Sequence, residues 1–116
     1  MELNELSDVL KALAAPSRLK IVHLLRTRSF CVNALTRRLD ISQPAVSQHL
    51  AVLKGAGLVE ASKAGTMVHY RVNVERLERA QAALAGLGVQ ETREAGPEAD
   101  AKAPTGSRTP AAPVGR

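Results

Sequence analysis

Apolar residues recur at helical spacing along most of the first 87 positions, and one stretch breaks the rule by alternating. In "MELNELSDVLKALAAP" Leu3, Leu6, Leu10 and Leu13 stand three or four residues apart, which predicts a first helix with one apolar face. "AAPSRLKIVHLLRT" restarts the pattern at Pro16, a residue suited to a first helical turn, and Leu19, Ile21, Val22, Leu24 and Leu25 form a broad face for burial. "CVNALTRRLDI" places Val32, Leu35 and Leu39 on a third short helix ending near Asp40. In "SQPAVSQHLAVLKGAGLVE" Ser42 is a helix N-cap and Pro44 lies in the first turn. Val46, Leu50 and Leu53 then fall within a sector of about 60° at about 100° per residue, and Gly55 and Gly57 supply a stop.

The alternating stretch follows. Val59 and Ala61 alternate with polar partners, Val68, Tyr70 and Val72 do so on the return, and "KAGT" between them is a turn in which Gly65 can take a positive φ. A closing helix carries Leu77, Ala80, Leu84 and Leu87 on one side. The order is four helices, a β-hairpin and a last helix, a mainly α fold. Residues 90–116 contain four prolines and one large aliphatic residue, Val114. Such a segment buries too little apolar surface to offset its ordering entropy, so the expected division is a domain over 1–88 and a disordered tail over 89–116.

Charge sharpens the picture. The chain of 116 residues carries a net +5, and all of it lies before residue 88, where twelve bases face seven acids. A small basic domain suits a polyanionic partner, nucleic acid or an anionic membrane face. No apolar run approaches the roughly 18 residues of a membrane span, and the acidic N-terminus lacks the apolar core of a signal peptide, so the cytoplasm of a prokaryote-like cell is expected. A single cysteine, Cys31, excludes an internal disulfide framework. Phe30 and Tyr70 are the only aromatics, which argues against single-strand binding by base stacking. No Gly-rich phosphate loop, no carboxylate pair with a base and no Ser/His/Asp spacing stands out, so the chain does not read as an enzyme, and no cofactor is implied.

The fourth helix carries the functional signal. Opposite its apolar sector lie Gln43, Ser47 and Gln48, uncharged hydrogen-bonding side chains on a helix too short to stand alone. Two short helices joined by "DIS" form a helix-turn-helix, whose second member projects its outer face into the major groove of double-stranded DNA. There Gln can bridge adenine N6 and N7, Ser can pair with base edges or phosphate, and free N–H groups near Ser42 and Gln43 suit a phosphate oxygen. The hairpin then becomes a wing, with Lys63, Thr66, His69 and Arg71 at its tip and outward side. Ser42, Gln43, Pro44, Ser47, Gln48 and His49 on the helix complete the candidate DNA-binding set, with His49 supporting the helix or touching phosphate. The competing reading is a winged-helix protein-interaction module that does not bind DNA.

Residues 10–72, through "LAAPSRLKIVHLL", "SQPAVSQHLAVLKGAGLV" and "GTMVHYRV", resemble the ArsR/SmtB family of winged helix-turn-helix repressors. The resemblance implies a homodimer formed by the first and last helices, and an operator-binding repressor released by a ligand that the sequence does not identify. It also implies a metal site that this chain does not carry. Where family members have Cys-Val-Cys, this sequence reads Cys31-Val32-Asn33. Its last helix has Glu75 and Glu78 but no His, so a metal is not expected at either place. Cys31 then reads as a small buried residue, or as a thiol sensor near a helix N-terminus, and His23 as a packed or interfacial histidine.

Overall fold

A computed structural model describes residues 1–88; the expected tail over 89–116 lies outside the described residues. The elements are α1 (Leu3–Leu13), α2 (Pro16–Leu25), β1 (Phe30–Cys31), α3 (Val32–Leu39), α4 (Gln43–Gly55), β2 (Val59–Ala64), β3 (Met67–Val72) and α5 (Val74–Gly88). All the expected helices and the hairpin are present. The addition is β1, which pairs antiparallel with β3 to make a three-stranded sheet ordered β1-β3-β2. Two residues carry no period, so only the free edge of β3 reveals this strand.

Local chemistry explains most boundaries. The backbone N–H of Glu2 donates to the Glu5 carboxylate at 3.0 Å, which opens α1. That bond, helped by the Arg76 guanidinium, holds the Glu5 carboxyl below the usual carboxylate range. Its contribution is therefore complete above the ordinary carboxylate pKa and fades as pH falls through the lowered value. Pro16 opens α2, and Ser42 caps α4, its Oγ accepting from the Ala45 N–H at 3.2 Å.

Between α3 and α4 the chain reverses through Asp40, which takes φ 56 and donates its N–H to the Thr36 carbonyl at 3.1 Å. Asp tolerates the left-handed region better than most residues, so the sharp turn forms without glycine. Gly57, at φ 76, ends α4: its N–H reaches the Lys54 carbonyl at 2.9 Å and the Leu58 N–H reaches Leu53 at 3.0 Å. This is the paired-bond helix stop that wants glycine just past the last turn. Gly55 is an ordinary helical residue. In the hairpin, Gly65 at φ 68 followed by Thr66 gives a two-residue turn whose twist matches the strands.

The core of the described residues is wholly apolar and gathers Val9, Ile21, Leu35, Val46, Leu50, Leu53, Leu58 and Val59 from five elements and the α4–β2 junction. The faces differ from the sequence expectation at several points. In α1 the buried stripe is Leu6, Val9 and Ala12, while Leu3 and Leu10 are exposed. The apolar arc of α1 is about 180° wide at about 100° per residue, and the chain's own core covers one flank of it. In α2, Ile21, Val22 and Leu25 are buried but Leu19 is exposed. In α5, Ala80 is buried and Leu77 and Ala83 pack on the core, whereas Leu84 and Leu87 stay open. Arg76 ties α5 down, donating to the Ala56 carbonyl at 3.1 Å and pairing with Glu5 at 3.6 Å. No helix of the described residues is long and apolar enough to cross a membrane.

Candidate nucleic-acid interface

The amphipathic pattern of α4 places its two flanks in different media. Val46, Leu50 and Leu53 are buried, while Ser42, Gln43, Pro44, Gln48 and Ala51 are exposed and Ser47 is half-buried beside them. The polar flank is therefore open to an external partner and not sealed by other parts of the chain. Gln43 Nε2 donates to Ser47 Oγ at 2.9 Å, one helical turn away. That bond leaves the Gln43 amide oxygen and the Ser47 O–H proton free, so the two side chains present an acceptor and a donor as a preset pair.

The helix N-terminus offers less than its sequence suggests. Pro44 has no N–H, Ala45 donates to Ser42 Oγ, and Val46 donates to the Ser42 carbonyl at 3.1 Å. Among the first helical residues only Gln43 keeps an N–H for an outside oxygen.

His49 is the candidate whose environment is most distinct. Its Nδ1 lies 3.2 Å from Arg18 Nη1 on α2, and the same guanidinium donates through Nε to the Ala12 carbonyl at 2.6 Å. The ring thus faces the junction of α1, α2 and α4 instead of standing among the exposed readers.

Register sorts the wing residues. Val59, Ala61 and Lys63 share one face of the hairpin with Val72, Tyr70 and Val68, and the buried ends of that set mark it as the inward face. Lys63 therefore lies on the inward face near the tip, where it lines a shallow concavity with Lys54 of α4, and not on the outward side. The reason is the two-residue period of a strand, which puts Lys63 and Arg71 on opposite faces once Gly65 and Thr66 form the turn. Thr66 is exposed in that turn. His69 and Arg71 are on the outward face, but Arg71 Nη2 pairs with Glu60 Oε1 at 3.1 Å across the strands. Glu60 was absent from the sequence-level set, because its pairing with Arg71 follows only from the strand register.

Cys31 is half-buried at the N-cap position of α3, with His69 as its cross-strand neighbour. It is not fully buried, because β1 is an edge strand with one side open. His23 is exposed and accepts from Arg26 Nε at 3.3 Å, so it is not packed in the core. Among the described residues no three His, Cys, Asp or Glu side chains converge on a common point. Phe30 anchors this region: the guanidinium carbons of Arg28 and Arg38 lie 4.7 and 5.2 Å from its ring centroid, which braces the end of α3.

Residues 15–61 match the model of the bacterial regulatory proteins of the arsR family. The chain is 46% identical over 70 residues to the HTH-type transcriptional repressor SmtB of Mycobacterium tuberculosis, covering 60% of this chain and 52% of that protein. It thus spans about half the length of that relative. It is 38% identical over 81 residues to the biofilm growth-associated repressor of Agrobacterium fabrum, covering 70% of this chain and 69% of the other. Among solved structures, the homodimeric winged helix-turn-helix DNA-binding domain of Mb0332 from Mycobacterium bovis, described as a possible ArsR-family transcriptional regulator, superimposes with a TM-score of 0.63 at 34% identity. That superposition covers 74% of this chain and 80% of the other.

Proposed function

The chain belongs to the arsR family of bacterial regulatory proteins, and from that premise we propose that it is a homodimeric, sequence-specific repressor that binds operator DNA and leaves it when a ligand or signal arrives. The observation that carries this reading is the two-media partition of α4. Its apolar flank is sunk in the core, and the opposite flank carries exposed Gln43 and Gln48 with half-buried Ser47, the Gln43–Ser47 bond leaving the Gln43 amide oxygen and the Ser47 O–H proton for a partner. In the major groove, Gln43 and Ser47 read base edges, while Lys54, Lys63, Thr66, His69 and Arg71 meet the backbone or the adjacent minor groove.

The dimer forms through α1 and α5. Leu3, Leu10 and Leu87 border an apolar concavity of about 420 Å³ between these helices, a surface that a second copy can cover. The M. bovis neighbour is described as homodimeric, which supports a dimer; the choice of α1 and α5 rests on their exposed leucines. Two reading helices about one helical turn of DNA apart, ~34 Å, follow from the two-fold symmetry.

The test is a salt titration of binding to DNA upstream of the chain's own gene, compared with random DNA. Log K falls with log salt by about 0.9 per phosphate neutralised if DNA is the partner. Gln43→Ala and Ser47→Ala are expected to lower operator affinity about five- to a hundredfold, the value of a lost base contact, with little change on random DNA. Lys63→Ala weakens both alike. A protein that shows no salt-sensitive affinity for any DNA would instead be an interaction module.

The Glu60–Arg71 pair adds a second measurement. Glu60→Gln frees Arg71 and removes a negative charge from the wing. For each subunit that meets the DNA it is expected to raise affinity for any DNA about two- to fivefold at low salt, the scale of an exposed ion pair, and to steepen the salt slope by about 0.9, so that the dimer's slope changes by about twice that. An unchanged slope shows that Arg71 does not meet the phosphates.

A further inference from the structure

Base-edge hydrogen bonds weaken steeply with misalignment, so a reading helix is only as selective as its mounting is rigid. Among the described residues the mounting has a polar fastening at each end of α4: Arg76 donates to the Ala56 carbonyl at the C-terminal end, and nearer the reading end Arg18 holds His49. The Arg18 side chain is half-buried where α1, α2 and α4 meet. Its Nε donates to the carbonyl of Ala12 at 2.6 Å, in the last turn of α1, where helix carbonyls lack partners and the helix dipole is negative. Its Nη1 lies 3.2 Å from Nδ1 of His49 on α4. A guanidinium carries donors only, so Nδ1 must accept, and the ring proton of neutral His49 sits on Nε2.

We propose that Arg18 is a positioning residue for DNA reading: a single planar side chain clamps α4 to the end of α1 through His49, and thereby sets the separation of the two reading helices in the dimer. The inference rests on the function proposed above, in which α1 lies at the dimer interface and α4 enters the groove. With α1 on the two-fold axis, any displacement of α4 relative to α1 appears once in each subunit, so the distance between the reading helices changes by both together. The fork is suited to this task because its two donors diverge from one rigid plane, whereas a lysine could reach only one of the two acceptors at a time. Losing the clamp lowers discrimination of half-site spacing and leaves attraction to phosphate intact.

The experiment uses the full chain and a DNA site selected by its binding from a random-sequence pool. Versions of that site with one base pair added or removed between the half-sites shift them by about 3.4 Å and about 34°. Wild type is expected to bind the shifted sites at least about tenfold more weakly than the parent site. Arg18→Gln and His49→Leu are expected to bind the parent site about tenfold more weakly, the value of a hydrogen bond to a charged group. They bind random DNA as wild type does and lose most of the preference for the parent spacing. His49→Asn, whose Oδ1 can accept where Nδ1 did, restores that preference.

If the clamp served stability alone, Arg18→Gln and His49→Leu would melt at lower temperature with the spacing preference unchanged, which overturns the proposal. Equal losses on selected and random DNA would mean that these side chains touch phosphate, and overturn it as well. A wild-type protein that selects no site takes down the DNA-reading function and the clamp together. One that selects a site whose spacing the variants still recognise takes down the clamp alone.

Discussion

Leu84→Glu combined with Leu87→Glu is expected to divide the protein into monomers and to weaken operator binding by about 100-fold or more, the range lost when two linked binding events become independent. The two leucines are 49% and 63% exposed in the single chain, far more than its core needs, and Leu3 on α1 is 65% exposed. Burying a leucine side chain fully is worth about 1.5–3 kcal/mol, and a two-fold axis makes each position count twice. The double substitution removes that gain and brings four carboxylates into a surface that must be dehydrated to close. Each subunit would keep its own fold, because neither side chain belongs to the core cluster. Sedimentation across a concentration series gives the oligomeric state, and binding to DNA with one or two half-sites gives the affinity. The wild type is expected to gain strongly from the second half-site and the variant hardly at all. A variant that still sediments as a dimer places the interface elsewhere.

The second large effect is on stability. Leu50→Ala is expected to cost about 2–5 kcal/mol, the range for emptying a leucine site in a packed interior. Leu50 is 2% exposed and stands between Val46 and Leu53 on the flank that anchors α4. A domain of this size has about 5–15 kcal/mol in all, and each kcal/mol moves the melting temperature by about 4–8 °C. The melting point should therefore fall by roughly 10 °C or more at equal protein concentration. Gln48→Ala, two residues earlier on the exposed flank, should shift stability by no more than about 0.5 kcal/mol. The contrast is diagnostic of the partition of α4. If the two substitutions destabilised alike, the polar flank would be part of the fold and unavailable to DNA.

Features carried by neighbouring residues were legible before any coordinates. Ser42 caps α4 through Ala45, Gly57 takes the positive φ that stops it, Gly65 turns the hairpin, and Val46, Leu50 and Leu53 are buried as their spacing predicts. Each depends on atoms within about one or two turns of chain, where dihedral preference and side-chain reach decide the outcome. The family resemblance, borne by motifs in residues 10–72, agrees with the match over residues 15–61.

The sequence by itself therefore determined the order of the five helices and the hairpin, the Ser42 cap, the Gly57 stop, and the helix whose polar flank faces outward, because periodicity and turn chemistry are local properties. Tertiary structure alone decided that Leu3, Leu10, Leu84 and Leu87 lie outside the chain's own core, that β1 adds to the sheet, that Glu60 holds Arg71, and that Arg18 grips His49. An apolar stripe records that a surface must be covered but not by which partner. A hydrogen bond between residues 31 positions apart leaves no trace in either neighbourhood until the helices are packed.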